Sequence, residues 1–194
     1  MLLQQQKRGM AWAGLAMTVF LVVHLLLNLQ FFDAHNFNAF YSIYHYSFLR
    51  WLLLILFVVL LGGHVTIAIR IRRCNAKARQ QPYQKRDKWT IPPSWVSISI
   101  LFLLTFILTH IVQTLRFSGP DIHQEVVSLF QSTGNVMFYL VGLGVLMMHM
   151  QHSLANVLQT LGKSTACYQW SSWLFSVGVA GGFALVPLSV YLGW

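Results

Sequence analysis

Five long apolar stretches dominate this chain of 194 residues and limit what it can fold into. A helix needs about 20 apolar residues to cross the hydrocarbon core of a bilayer. Hydrophobic residues make up 56% of the chain and charged residues only 9%, against about a quarter charged in a soluble domain. The sequence therefore predicts an all-α integral membrane protein, with residues 1–194 forming one domain. Its five transmembrane helices are expected at about 10–30, 48–69, 95–117, 135–158 and 169–192.

The net charge of +9 is concentrated on one side of the predicted bundle. The N-terminus, the loop after the second helix and the turn before the fifth hold eleven of the thirteen Lys and Arg residues. Because clustered basic loops stay in the cytoplasm, we expect a cytoplasmic N-terminus and an external C-terminus. The basic loop itself carries eight of these residues: Arg70, Arg72, Arg73, Lys77, Arg79, Lys85, Arg86 and Lys88. Signatures of base recognition are absent, so the partner of this charge is the lipid bilayer and not nucleic acid.

Four histidines lie inside the first four predicted helices, one in each: His24, His64, His110 and His149. An imidazole at membrane depth is costly, so it indicates a functional site. The first and third helices run outward, which places His24 and His110 near the outer face. The second and fourth run inward, which places His64 and His149 near the cytoplasmic face. With a rise of about 1.5 Å per residue, the two pairs should lie about 10–15 Å apart in depth.

Paired imidazoles inside a membrane suit the axial ligation of haem iron, which then transfers electrons without binding a further ligand. The chain has no CxxCH, which excludes a covalently attached c-type haem. Four glycines near the histidines, Gly62, Gly63, Gly142 and Gly144, would leave room for a flat macrocycle or allow helices to approach. For Gly181 and Gly182, on a helix without such a histidine, helix packing is the preferred interpretation.

The same residues allow other interpretations. Each intramembrane histidine could instead bond to a neighbouring helix, and His152, three residues after His149, could be the ligand in its place. A transporter or assembly factor with polar histidines in a pore is a different class, but it predicts an inverted repeat that the sequence does not display.

The histidine-bearing segments resemble a known family. The first helix, GLAMTVFLVVHLLLNLQ, and the end of the fourth, HMQHSLANVLQTLG, are similar to the cytochrome b membrane anchor of succinate:quinone oxidoreductases. The match is to the single-subunit, five-helix, dihaem form found in bacterial succinate dehydrogenases and fumarate reductases. The stretches NAKARQQPY, SWVS and GGFALVPLSVYLGW fit the same family, so the resemblance covers nearly the whole chain.

The resemblance implies a function, cofactors and partners. In that family His24 and His110 would ligate an outer haem b, and His64 and His149 an inner haem b. A flavoprotein and an iron–sulfur subunit would dock on the cytoplasmic side of a bacterial inner membrane. The chain would then pass electrons between them and a membrane quinone, menaquinone in this form, in the respiratory chain and tricarboxylic acid cycle. It would be an enzyme only as a non-flavin subunit, because succinate chemistry lies in its partners.

A second family of membrane anchors also fits four intramembrane histidines. The anchors of hydrogenases, formate dehydrogenases and nitrate reductases are also dihaem cytochromes, and they are the alternative, although they tend to place two ligands on one helix.

Some fumarate-reducing members of the resembled family carry a glutamate in the membrane for a proton path. Here the only glutamate is Glu125, in an outer loop, so such a path is not expected. Asp33, His35 and His45 are weak candidates for contacts to the quinone.

Overall fold

The computed structural model describes residues 2–78, 93–160, 162 and 166–194. Within these ranges the chain forms helices and turns without any strand. The helices are α1 (Leu2–Asn28), α2 (Ala34–Tyr46), α3 (Phe48–Ala78), α4 (Pro93–Leu115), α5 (Ile122–Phe130), α6 (Thr133–Thr160) and α7 (Ala166–Leu192). A short 3-10 turn, Leu29–Phe32, follows α1.

Five helices of the described residues, α1, α3, α4, α6 and α7, are long and apolar enough to cross a membrane. This confirms the prediction of an all-α, multi-pass membrane protein with five spans. Two spans run further than predicted, since α1 already begins at Leu2 and α3 continues to Ala78. The added turns carry Gln, Lys, Arg and Ala, which have high helix propensity and continue a helix outside the hydrocarbon region.

The two segments that connect spanning helices at one end of the bundle are themselves helical, whereas no helix was predicted there from the sequence. The side chain of Asp33 accepts a hydrogen bond from Asn36 N at 3.1 Å and caps α2. Asp121 does the same for α5, with Gln124 N as donor at 3.0 Å. An aspartate at the N-cap satisfies an amide that the first turn leaves unpaired, so both helices begin where the sequence supplies a carboxylate.

The helices α2 and α5 meet over the same end of the bundle, which we call the capped end. Asn38 donates its side-chain amide to Asp121 Oδ1 at 2.9 Å and accepts from His123 N at 2.9 Å. The C-terminal part of α7 is also here, because the hydroxyls of Tyr191 and Thr133 lie 3.2 Å apart. The five spanning helices therefore alternate in direction.

The opposite end, the basic end, carries the N-terminus of α1 and the C-terminus of α3. The described basic side chains of this end are Lys7, Arg8, Arg70, Arg72, Arg73 and Lys77. The remaining basic residues assigned to this side by the sequence analysis, Arg79, Lys85, Arg86, Lys88 and Lys163, lie outside the described residues. One end of the bundle thus collects positive charge, while the capped end holds Arg50 and Arg116. A cytoplasmic location for the basic end stays a prediction.

Burial is greatest where α6 and α7 pack together along their length. The apolar core includes residues of α6 and α7 and extends to the capped end, where Phe31, Phe37, Ile122 and Phe130 belong to it. By contrast, α3 exposes large apolar side chains along most of its length, among them Leu52, Ile55, Leu56 and Val59. An apolar surface of this extent fits lipid and not water.

Candidate functional site

The imidazoles of His24 on α1 and His110 on α4 face each other inside the bundle. Their ring centroids lie 5.9 Å apart, with 67° between the ring planes. Both side chains are only partly exposed. Phe20 stacks beside His24 at 5.6 Å, and Phe183 of α7 lies 5.5 Å away. The structure thus brings together two histidines from the first and third spanning helices in an aromatic setting.

The other two intramembrane histidines form a second pair. The rings of His64 on α3 and His149 on α6 have centroids 6.3 Å apart, with 79° between their planes. The alternative ligand, His152, is exposed, and its Nε2 lies 3.0 Å from the side-chain amide of Asn156 on the same helix. The geometry therefore pairs His64 with His149 and places His152 elsewhere.

The two pairs lie at different levels of the bundle. A Cβ added at Gly14 would lie 3.8 Å from His64 Cε1, so His64 meets α1 ten residues before His24. His110 on α4 contacts Tyr139 on α6, and Tyr139 comes ten residues before His149 on that helix. At about 1.5 Å per residue, both helices give a separation of about 15 Å along the bundle. The His24–His110 pair is nearer the capped end and the His64–His149 pair nearer the basic end.

The helices that carry each pair do not pack directly on one another. Within the described residues, α1 packs on α3, α6 and α7, and α4 packs on α6, but neither α1 with α4 nor α3 with α6 forms an extensive contact. Each histidine pair therefore joins two helices whose backbones are not in close contact. A metal–imidazole bond of about 2.0 Å implies ring centroids about 6.4 Å apart when two imidazoles flank one metal ion. The two observed separations are close to this value.

The two imidazoles at each level suit a metal ion whose other ligands come from a prosthetic group. Within the described residues, no group of three or more His, Cys, Asp or Glu side chains gathers as a metal site. Two imidazoles alone do not complete the four-ligand shell of a structural zinc site, whereas haem iron needs only axial ligands from the protein. In addition, the Nδ1 atom of His64 is buried without a hydrogen-bond partner among the described residues. An unpaired imidazole nitrogen is costly to bury and fits a metal ligand.

A chain of two hydrogen bonds leads away from His110. The Nδ1 atom of His110 lies 3.2 Å from the hydroxyl of Tyr139 on α6, and that hydroxyl donates to Gln113 Oε1 at 2.7 Å. Tyr139 is buried, with ring contacts to Phe106 and Phe130. Neither Tyr139 nor Gln113 was predicted as a site residue from the sequence. The position of Gln113, three residues after His110 on the same helical face, was a usable signal, whereas the contact of Tyr139 depends on how α4 packs on α6.

The glycines near the histidines have different roles. A Cβ at Gly142 would lie well inside van der Waals contact with three ring atoms of Phe106, so this glycine allows α4 to approach α6. At Gly62, Gly63 and Gly144 an added Cβ would meet nothing within 4 Å, which leaves open space on these faces. Gly182 packs against the side chain of Leu25 on α1, which confirms the packing interpretation for that glycine.

The weak candidates for quinone contacts are found at the capped end. Asp33 caps α2 and also accepts from the side chain of Asn36 at 2.7 Å, while His35 is exposed. His45 Nδ1 lies 2.8 Å from the guanidinium of Arg50. Partial burial and the charge of Arg50 lower the pKa of His45 below its ordinary value of 6.5. His45 thus lies beside a fixed cation, near the end at which α3 begins.

Comparisons of the chain with protein-family models, with curated proteins and with solved structures give no match. The family resemblance therefore rests on the sequence motifs and on the four paired histidines.

Proposed function

We propose that this chain is the dihaem cytochrome b anchor subunit of a succinate:quinone oxidoreductase. The observation that carries the proposal is the arrangement of four histidines from four helices into two facing pairs at two levels of the bundle. His24 and His110 would hold the outer haem b, and His64 and His149 the inner haem b. When bound, the two haems supply one-electron redox steps that connect the two sides of the membrane.

The protein's own part is to hold the imidazoles, to orient them and to exclude water. Each histidine comes from a different helix, so the bundle fixes the spacing of each pair through helix packing instead of through a mobile loop. Around His24 and His110 the neighbours are aromatic: Phe20, Phe106 and Phe183 lie with ring centroids within 6.4 Å of one or the other imidazole. A dry, apolar surrounding limits solvent access, which is one of the means by which a protein tunes a redox centre.

The family resemblance implies the partners, and the charge distribution indicates the side on which they would dock. The basic end is the proposed cytoplasmic side, where a flavoprotein and an iron–sulfur subunit would dock. Arg70, Arg72, Arg73 and Lys77 extend α3 beyond its apolar part at this end. Electrons would move between the iron–sulfur subunit and a membrane quinone, menaquinone, with the protein in a bacterial inner membrane. Interconversion of succinate and fumarate takes place in the flavoprotein, so this chain is part of the enzyme without holding its succinate site.

The second candidate is the dihaem anchor of a hydrogenase, formate dehydrogenase or nitrate reductase. The distribution of ligands discriminates between the two. Anchors of the second kind tend to place two ligands on one helix, whereas here the paired histidines come one each from α1, α3, α4 and α6. The distribution favours the succinate:quinone oxidoreductase.

The electron donor tests this proposal directly. Membranes that contain the chain together with its native partners are oxidised, and succinate, formate or hydrogen is then added while the b-type absorption is recorded. We expect succinate to reduce the haem of this chain, and malonate, a competitive analogue of succinate, to prevent it. The His64→Ala variant is the matched control, because loss of the haem nearest the partners should interrupt the transfer. Reduction by formate or hydrogen but not by succinate would contradict the proposal and support the second candidate.

A further inference from the structure

The contact between His110 and Tyr139 has a defined direction of hydrogen bonding. The phenol carries one proton, and this proton is donated to Gln113 Oε1 at 2.7 Å. Toward His110 the Tyr139 oxygen can therefore only accept. The donor across the 3.2 Å contact must then be the Nδ1–H of His110, which leaves the lone pair of Nε2 free, because a neutral imidazole carries one proton.

The other imidazole of this pair has no such acceptor in the described part of the chain. Asn28 reaches His24 from one turn further along α1, but its side-chain nitrogen donates to the backbone carbonyl of His24 at 2.7 Å. The same nitrogen lies 3.3 Å from both ring nitrogens of His24, toward which an amide N–H can only donate. At the other level the Nδ1 atom of His64 is buried without a partner. The ring of His64 has the backbone of Met10 as a hydrogen-bond partner, so it is a side-chain acceptor, the hydroxyl of Tyr139, that distinguishes His110 from both of these histidines.

We propose that Tyr139, oriented by Gln113, is a positioning residue that fixes His110 with its proton on Nδ1 and so lowers the reduction potential of the haem at the His24–His110 pair. This inference rests on the proposed function. A hydrogen bond accepted from the distal nitrogen of a ligating histidine raises the basicity of the ligand. A more basic ligand stabilises ferric over ferrous iron, so loss of the hydroxyl should raise the potential of this one haem.

The packing around Tyr139 allows its hydroxyl to be removed while its ring contacts are retained. Tyr139 lies in a buried aromatic cluster with Phe106 at 5.4 Å and Phe130 at 4.9 Å between ring centroids. The substitution Tyr139→Phe retains the ring and removes only the hydroxyl. The matched control is Tyr191→Phe, because the hydroxyl of Tyr191 contacts Thr133 at the capped end and lies away from both histidine pairs.

The experiment is a redox titration of the purified full-length chain, with haem and protein quantified in each sample. In Tyr139→Phe we expect two haems per chain, one midpoint potential raised and the other unchanged. At the original midpoint, the ferrous-to-ferric ratio of the affected haem should rise several-fold, where a ten-fold rise corresponds to about 59 mV. In Tyr191→Phe neither potential should move.

A second variant covers the case in which Tyr139→Phe does not fold. Gln113→Leu removes the acceptor that orients the phenol, so it should shift the same haem in the same direction by a smaller amount. The identity of that haem is tested with His24→Ala, which should retain only the haem of the other pair. Adding Tyr139→Phe to this variant should leave the remaining potential unchanged.

The outcomes separate this inference from the proposed function. A wild-type chain without haem would overturn the proposed function. Two haems in the wild type with unchanged potentials in Tyr139→Phe, a lowered potential, or a shift of the haem at His64 and His149 would overturn the role of Tyr139 alone. Loss of the haem in both Tyr139→Phe and Gln113→Leu would also overturn it, because a bond that tunes a ligand is not required to hold the haem.

Discussion

His24 and His110 lie with ring centroids 5.9 Å apart, although the helices that carry them, α1 and α4, do not pack extensively on each other. Two imidazoles that approach each other from helices without close backbone contact are suited to ligate one metal ion between them. The same relationship holds for His64 and His149 on α3 and α6. A polar hydrogen bond between helices explains a single such contact but gives no reason for two of them about 15 Å apart along the bundle.

The first prediction concerns the pairing. His24→Ala and His110→Ala should each remove one haem and should remove the same one, because each leaves that iron with a single protein ligand. The other haem should remain, giving one haem per chain in place of two. The measurement is the haem content together with the spectrum of the haem that remains. If His24→Ala and His110→Ala left spectrally different haems behind, the pairing would be wrong.

The second prediction separates the two neighbouring histidines of α6. His149→Ala should remove the haem at the His64–His149 pair, whereas His152→Ala should retain two haems per chain. The reason is position, since His149 faces His64 at 6.3 Å while His152 is exposed and contacts Asn156. Both variants shorten a histidine on the same helix, so each is the control for the other. The reverse pattern would make His152 the ligand.

The third prediction concerns the approach of α4 to α6. Gly142→Ala should lower the free energy of unfolding by about 1–3 kcal/mol, because the new methyl group forces the ring of Phe106 to move. Gly178→Ala on α7 is the control, since a Cβ there meets nothing within 4 Å and alanine has the higher helix propensity. The measurement is thermal unfolding of both variants in detergent. Equal stability of the two would contradict the tight contact between Gly142 and Phe106.

The fourth prediction concerns pH and the capped end. The hydrogen bonds from Gln124 N and from the Asn38 side chain lower the pKa of Asp121 below its ordinary value of 3.8. A lowered folded-state pKa stabilises the fold fully above the ordinary pKa, and this contribution is lost as the pH falls through the lowered one. Melting temperatures between pH 5 and pH 3 should therefore fall less in Asp121→Asn, which can still cap α5 but does not titrate. An identical fall in both proteins would show that Asp121 contributes nothing to the acid dependence.

Much of the fold could be predicted from the sequence, because apolar length and the placement of charge depend on single segments. The five spans and the alternation of their directions follow from these two features. The helices α2 and α5 were not predicted, since their stretches are too short to cross a membrane, although Asp33 and Asp121 stand at the positions that N-caps occupy. The beginning of α1 at Leu2 depends on helix propensity outside the membrane, which hydropathy does not report.

For the candidate site too, features of single helices could be predicted from the sequence, whereas contacts between helices could not. Depth along each helix could sort His24, His64, His110 and His149 into two levels, since the rise per residue is fixed. The contact of Tyr139 with His110 could not be predicted, because it depends on the rotation of α6 against α4. That rotation is set in part by Gly142 and Phe106, which belong to different helices.

The central claim is that this chain holds two haems, and the most direct measurement is the haem content of the purified protein. Haem and protein are quantified in the same sample, and a dithionite-reduced minus oxidised spectrum identifies the type of haem. We expect two b-type haems per chain. A protein that folds and purifies without haem, even when haem is supplied during expression, would contradict both cytochrome assignments and favour a membrane protein whose paired histidines serve another purpose.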